Sequence, residues 1–425
     1  MRTQKSRKIF LLCLKAKEEA EKKQWKKAFD ICNYVFSKFT EQTDLYDKFL
    51  FAKTAFELNK LYLAKKISWN LYKLAPDYEA NISLLADILF KITENEANIS
   101  NVVNILNRIH FILKLELSPY KKNKIIILTA KLLLKKNSPQ EALKLLNECD
   151  IKNLSNKILK NSKGKTIPSQ REQCFLLKVK LLIINQLYNE AISFAESLLR
   201  EEKISKNNKI WITLYKADAS YALKKYKQAL NEYFRILEQK KFWFVYFRIA
   251  KTIYQMKEEK IALFYAIKAA LDRSQKTWFK ITIFKFIIDR FTKFLSENQS
   301  KNIAKLILNC YLKNGFTHNA YVHKIQKKFD LNNKENVNLK KLENKVYASL
   351  KKIFYGKQYQ GEIIYLAKNY GFIEYKKQKI FFHFSEVKFN KNLLKKNLKV
   401  KFYLTYSYDR KKEKFTFQAN SLKLQ

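Results

Sequence analysis

Residues 359–387 read Tyr-Gln-Gly-Glu-Ile-Ile-Tyr-Leu-Ala-Lys-Asn-Tyr-Gly-Phe-Ile-Glu-Tyr-Lys-Lys-Gln-Lys-Ile-Phe-Phe-His-Phe-Ser-Glu-Val. Here the spacing of apolar residues drops to two, the period of a half-buried strand. Alternation predicts strands over 360–367, 369–375, 379–384, 398–405 and 414–422, with a lysine-rich turn between the second and third. Five strands within residues 358–425 suit a small five-stranded antiparallel barrel of the OB type. On the second strand Tyr370 and Phe372 share a face and Ile373 points inward. On the third, Phe381 and His383 share a face, while Ile380 and Phe382 point inward. Exposed rings on neighbouring strands are costly in water. Single-stranded nucleic acid needs such rings, and each stacked base contributes ~1–3 kcal/mol.

Upstream the period is 3.6. The 425 residues include only 5 Gly and 4 Pro, far below average usage, which predicts helix over most of the length. Three of those glycines, Gly356, Gly361 and Gly371, fall in the last stretch, so composition changes near 356. Pairs of small residues recur twelve positions apart: Ala16 and Ala28, Ala52 and Ala64, Ala130 and Ala142, Val179 and Ala191, Ala217 and Ala229, Ala250 and Ala262. Two antiparallel helices joined by a short turn come close only where small side chains meet. A large residue, Trp25, Leu61, Tyr188 or Tyr226, often stands three positions before the second member.

This pattern resembles the tetratricopeptide (TPR) repeat, most closely over Ala217–Leu237, with Pro76 where that family ends its second helix. The family's first-helix Trp and Gly are mostly missing. Residues 1–330 are therefore expected to form a TPR-like α-solenoid of helical hairpins, irregular at 79–115, 150–170 and 275–330. Residues 331–357 are expected to be a connector and a helix, either a last capping helix or a strut. Within the 161–170 loop, Gly164-Lys165-Thr166 is the tail of a phosphate-binding loop. Its required earlier glycine is replaced by Leu159, which argues against a nucleotide site.

The C-terminal segment, 358–425, resembles the cold-shock domain. Asn369-Tyr370-Gly371-Phe372-Ile373 is similar to that family's first ribonucleoprotein motif and Ile380-Phe381-Phe382-His383-Phe384-Ser385 to its second. Gly361–Ile364, Val400–Phe402 and Ala419–Leu422 fit the opening, fourth and closing strands. The resemblance implies base contacts from Tyr370, Phe372, Phe381, His383 and Phe384, and a backbone contact from Lys368. Tyr365 stands for the family's strand-1 Trp.

The formal charge of +47 draws polyanions, and Glu has not kept pace with Lys. The five scattered cysteines form no CxxC pair; buried free thiols and a reducing, cytoplasmic compartment are expected. No apolar run reaches the ~18–20 residues of a membrane span, and residues 9–14 are assigned to the first helix. His318 and His323 are spaced badly for chelation, and His110 is expected to be packed in an apolar stretch. No metal site, cofactor or nucleophile–base pair is expected. The reading is a non-enzymatic protein that binds single-stranded RNA, or single-stranded DNA, and takes a protein partner on its repeats. The alternative is a protein–protein scaffold with the barrel as a docking module; an RNA enzyme is a weaker third.

Overall fold

The computed structural model describes residues 2–160, 164, 166–201, 204–315, 320–331 and 338–425. Residues 1–194 with 200–208 form one compact unit, and 195–199 with 209–425 a second. The expected connector at 332–337, His318, Lys165 and residues 161–163 of the loop lie outside the described residues.

The first unit is built of antiparallel helices: α1 (Arg2–Glu21), α2 (Trp25–Phe39), α3 (Leu45–Glu57), α4 (Leu61–Leu74), α5 (Glu79–Glu96), α6 (Val102–Leu113), α7 (Pro119–Lys135), α8 (Pro139–Leu146), α9 (Gln170–Ile184) and most of α10 (Tyr188–Arg200). The irregular stretch 79–115 is α5 and α6, whose connection at 97–101 is longer than the tight turns elsewhere. Between α8 and α9, residues 159–160 pair antiparallel with 166–167. His110 is exposed, contrary to expectation: the buried stripe of α6 is Ile105, Ile109 and Ile112, and His110 lies off it. Its neighbours are apolar in sequence, but the helical rotation of 3.6 residues per turn carries it to the outer side.

Every member of the six twelve-residue pairs is fully buried. The pairs fall on α1/α2, α3/α4, α7/α8, α9/α10, and in the second unit on α11 (Lys206–Ala222)/α12 (Tyr226–Gln239) and α13 (Trp243–Gln255)/α14 (Glu259–Leu271). One turn joins the helices of each pair. The residue five positions before the second small residue has a left-handed backbone: Lys23, Asn59, Asn137, Gln186, Lys224 and Lys257, with φ between 55° and 66°. Its N–H and the next one reach back to the ending helix, as in Lys224 N to Tyr221 O and Lys225 N to Ser220 O. That is the Schellman closure. Glycine fits this conformation without cost, and a Cβ there costs ~1–2 kcal/mol. The tight turn is therefore enforced by the packing of the small residues it brings together.

The second unit continues with α15 (Ile281–Arg290), α16 (Glu297–Lys313), α17 (Ala320–Phe329) and α18 (Leu339–Tyr355). Helix α18 is packed, not a bare strut. It buries Leu342, Val346, Tyr347 and Leu350 against α14 and α16. The fully buried Lys280 ties the junction, donating to Ala270 O and the Tyr347 hydroxyl at 2.8 Å and also to Asp272 O. An ammonium on the last carbonyls of α14 is favoured by the helix dipole. Gly356, at φ 60°, ends α18, and its N–H bonds Lys352 O.

The remaining strands are β1 (Gln358–Leu366), β2 (Tyr370–Tyr375), β3 (Gln378–His383), β4 (Lys399–Asp409) and β5 (Lys414–Leu424). They close a barrel in the order β1-β2-β3-β5-β4, antiparallel except for a short parallel pairing of β3 with β5. Its core is Ile363, Ile373, Ile380, Phe382, Val387, Val400, Phe402, Ala419 and Leu422. Burying a residue such as Phe382 contributes about 1.5–3 kcal/mol.

Strands β4 and β5 run on past the barrel. The face that carries Phe402, Leu404 and Ala419 into the barrel core carries Tyr406, Tyr408 and Phe415 beyond it. There it lies on α12, α14 and α18. Tyr408 stacks on Phe234 at 4.7 Å and 13°, and Tyr406 meets Phe264 at 5.4 Å. Phe354 of α18 stacks on Phe264 at 4.5 Å. The hairpin tip adds Arg410 to Glu238 at 2.9 Å and Asn231 to Glu413 at 2.7 Å. The barrel keeps its own core, and the β4–β5 extension packs on the core of these helices.

Candidate nucleic-acid interface

The site begins with an irregularity in β1. Ile363 pairs with Ile373, yet Tyr365 pairs with Phe372, so Ile364 is a bulge. Strict alternation would turn Tyr365 into the core beside Ile363. The extra residue turns it out, and it is 51% exposed. Strands β2 and β3 pair without slippage, setting Tyr370 opposite His383 and Phe372 opposite Phe381.

Four rings from three strands gather on this outer face. Tyr365 lies 6.5 Å from Tyr370 and 6.1 Å from Phe372, while Phe381 lies 5.6 Å from Tyr370 and 5.9 Å from Phe372. Their planes are tilted or edge-on to one another, so ring faces stay open for flat partners. Ile373, Ile380 and Phe382 point into the core, as alternation requires.

His383 is exposed beside the rings. Its Nδ1 accepts the Ser385 backbone N–H at 3.1 Å and lies 2.9 Å from the Ser385 hydroxyl. The neutral imidazole therefore carries its proton on Nε2, as an outward donor. Ser385 was not singled out from the sequence; its signal is the i, i+2 spacing in His-Phe-Ser. Phe384 is not among the clustered rings. It begins the short 3-10 turn after β3 and stacks on the buried Phe382 at 6.0 Å, packed against the barrel core. Lys368 is exposed in the β1–β2 connection, at the edge of the face.

Gly371 sits between two of the rings for a steric reason. A Cβ there would lie 2.6 Å from Tyr365 O and 2.7 Å from the Phe382 ring. Its lack of a side chain lets β1, β2 and the core ring close together. The β2–β3 turn is two residues long, Lys376 and Lys377, at φ 48° and 60°. Such a turn prefers Asn-Gly. Two lysines instead hold two cations at its tip. Residues 358–425 carry 14 Lys and one Arg against five Asp and Glu, so the field around the rings is positive.

Residues 360–415 match the 'Cold-shock' DNA-binding domain. That match covers the ring cluster and all of β2 and β3, and the cold-shock domain suggests nucleic-acid binding. No curated protein matches the sequence. Among solved structures, the apo form of RapI is similar with a TM-score of 0.41 at 12% identity, covering 76% of this chain and 96% of that one. A tetratricopeptide repeat protein from Parabacteroides merdae gives 0.35 at 13% identity, covering 65% and 97%. The human IFIT1 dimer with PPP-AAAA gives 0.34 at 11% identity, covering 80% and 80%. The neighbours include tetratricopeptide repeat proteins, and a helical array followed by a five-stranded barrel is the architecture here.

Among the described residues no group of three or more His, Cys, Asp or Glu is placed to hold a metal ion. No described helix is long and apolar enough to cross a membrane.

Proposed function

We propose that the chain binds single-stranded nucleic acid, with RNA its ordinary ligand, on the outer face of β1–β3, and that it does so without catalysing a reaction. The observation that carries this reading is the open cluster of Tyr365, Tyr370, Phe372 and Phe381 on three adjacent strands. Bases stack on such rings with little regard to sequence, because every base has a flat face. The His383 Nε2 proton and Lys368 stand where they can bond a base edge or a phosphate. The lysines of the β2–β3 turn extend the positive rim. What the face offers is stacking, hydrogen bonding and charge, the chemistry of holding a strand rather than cutting it.

The helical hairpins support a second contribution, recruitment of a protein partner. All five cysteines are free thiols, four of them buried, which supports a reducing cytoplasmic setting.

The test is fluorescence anisotropy with labelled single-stranded RNA, single-stranded DNA and duplex of the same sequence. Single-stranded RNA should bind tightest and duplex weakest. Affinity should fall with salt by a slope of about −0.7 per phosphate contacted. Binding to duplex as tight as to single strand would refute stacking on this face.

A further inference from the structure

Helices α11, α13 and α15 of the second unit carry a stripe of rings and cations. On α11, Trp211, Tyr215 and Asp218 fall at i, i+4 and i+7. On α13, Phe244, Phe247, Arg248 and Lys251 fall at i, i+3, i+4 and i+7. The two rows meet: Trp211 lies flat on Phe244 at 5.7 Å and 11°, and Arg248 Nε bonds Asp218 at 2.7 Å. Phe244 in turn stacks on Phe242 at 4.9 Å. Farther along, Phe247 meets Phe286 of α15 at 5.5 Å. Phe242 also approaches Trp211, at 6.4 Å and 38°, and Trp211 remains 40% exposed.

The charges around this stripe leave it positive. Asp218 is taken up by Arg248 and by the Tyr233 hydroxyl. Glu196 and Glu232 share Lys216, and Glu232 also meets Arg235 at 3.3 Å, so the two carboxylates face two cations. Lys251 is half-buried over the Phe247 ring, 5.3 Å from its centroid, and among the described residues it forms no ion pair. Burial, with the nearby Arg248 charge, pushes its amino group below the usual lysine range. Lys240 lies over Phe242 at 5.1 Å. An anion arriving here would meet cations that the protein has not neutralised.

We infer that Trp211, Phe244, Phe247 and Lys251 form a second contact for single-stranded nucleic acid, with a base stacking on Trp211 and a phosphate meeting Lys251. This rests on the reading of the barrel face given above. Rings interleaved with unpaired cations are the requirement for binding a strand without sequence preference. An acidic protein segment would use the cations but would leave the flat Trp211 face without a flat partner.

The experiment uses the full chain and two labelled oligouridylates. One is of about 6 nucleotides; the other, of about 30, exceeds the roughly 4–16 that an OB fold covers. Trp211→Ala and Lys251→Gln should each weaken the long probe about tenfold and leave the short probe unchanged, with thermal unfolding as the check on folding. Trp211→Phe, which keeps a flat ring, should restore most of the affinity. Lys251→Gln should also reduce the salt slope for the long probe by about 0.7. Unchanged long-probe affinity in both variants, with Phe372→Ala still weakening binding, overturns the second contact and leaves the barrel face intact. Unchanged binding of both probes in Phe372→Ala and Phe381→Ala overturns the barrel reading instead. Loss of polyglutamate binding in Trp211→Ala and Lys251→Gln, with RNA affinity unchanged, reassigns the stripe to an acidic protein and overturns the inference.

Discussion

The barrel has two aromatic surfaces, and they meet different fates. Tyr406, Tyr408 and Phe415 on the β4–β5 extension are covered by Phe234, Phe264 and Tyr265 of the helices. Tyr365, Tyr370, Phe372 and Phe381 on β1–β3 have, among the described residues, ring contacts with one another. The composition of the two patches is the same kind of ring on the same kind of strand. What separates them is whether another part of the chain covers the rings. A covered ring contributes to stability; an uncovered one is the basis of the binding proposed above.

The largest consequence concerns the covered patch. Phe234→Ala removes the ring that stacks on Tyr408 and should cost about 3 kcal/mol of stability, measured by denaturant unfolding. RNA affinity per folded molecule should not change. A loss under ~1 kcal/mol would mean that barrel and helices are joined only by the linker. Gly371→Ala should come next, at about 2 kcal/mol, because its Cβ meets backbone and the Phe382 ring rather than a movable side-chain end. It should harm binding as well, since it pushes β1 and Tyr365 away.

Phe372→Ala and Phe381→Ala reverse the pattern. Each should weaken single-strand binding by ~1–3 kcal/mol. Each should move stability less than Phe234→Ala does, because Phe234 packs against the helical core whereas these two rings lie outside the barrel core. If either variant unfolds the barrel while binding per folded molecule persists, the two patches do not differ in role. The smallest effect divides stability from binding within one turn. Replacing Lys376-Lys377 by Asn-Gly relieves two strained residues and should stabilise the hairpin by about 1 kcal/mol. The same change should lower the salt slope of binding, since two cations are lost from the rim. An unchanged slope would remove these lysines from the interface.

The sequence shows some of this plainly and hides the rest for physical reasons. The twelve-residue pairs are legible because close helix contact demands small side chains at fixed spacing, and all six pairs are buried as that demand requires. The left-handed turns are not legible. Lys224 or Gln186 carries no sign of positive φ, and the conformation is imposed by packing formed elsewhere. In the barrel, Tyr370, Phe372 and Phe381 follow from alternation. Tyr365 does not, since the bulge at Ile364 breaks the period, and only the resemblance pointed to it. Phe384 shows the reverse limit: it belongs to the motif, yet the turn after β3 folds it back onto Phe382. The clasp on the helices was out of reach because its partners lie far away in sequence. The alternation of Tyr406 and Tyr408 is visible, but nothing local names Phe234 as what covers them.

That separation has a consequence in time. Asn231 and Glu413, which bond across the clasp, stand 182 positions apart. Synthesis adds roughly 5–20 residues per second, so α12 waits on the order of 10–35 s after its own emergence for the hairpin that covers it. During that interval Phe234 and its neighbours are a sticky surface without their lid. A chain that stops before β4 never acquires one. Early termination in this protein therefore does more than delete the barrel: it leaves behind a folded helical body with an aromatic patch that was never meant to face water.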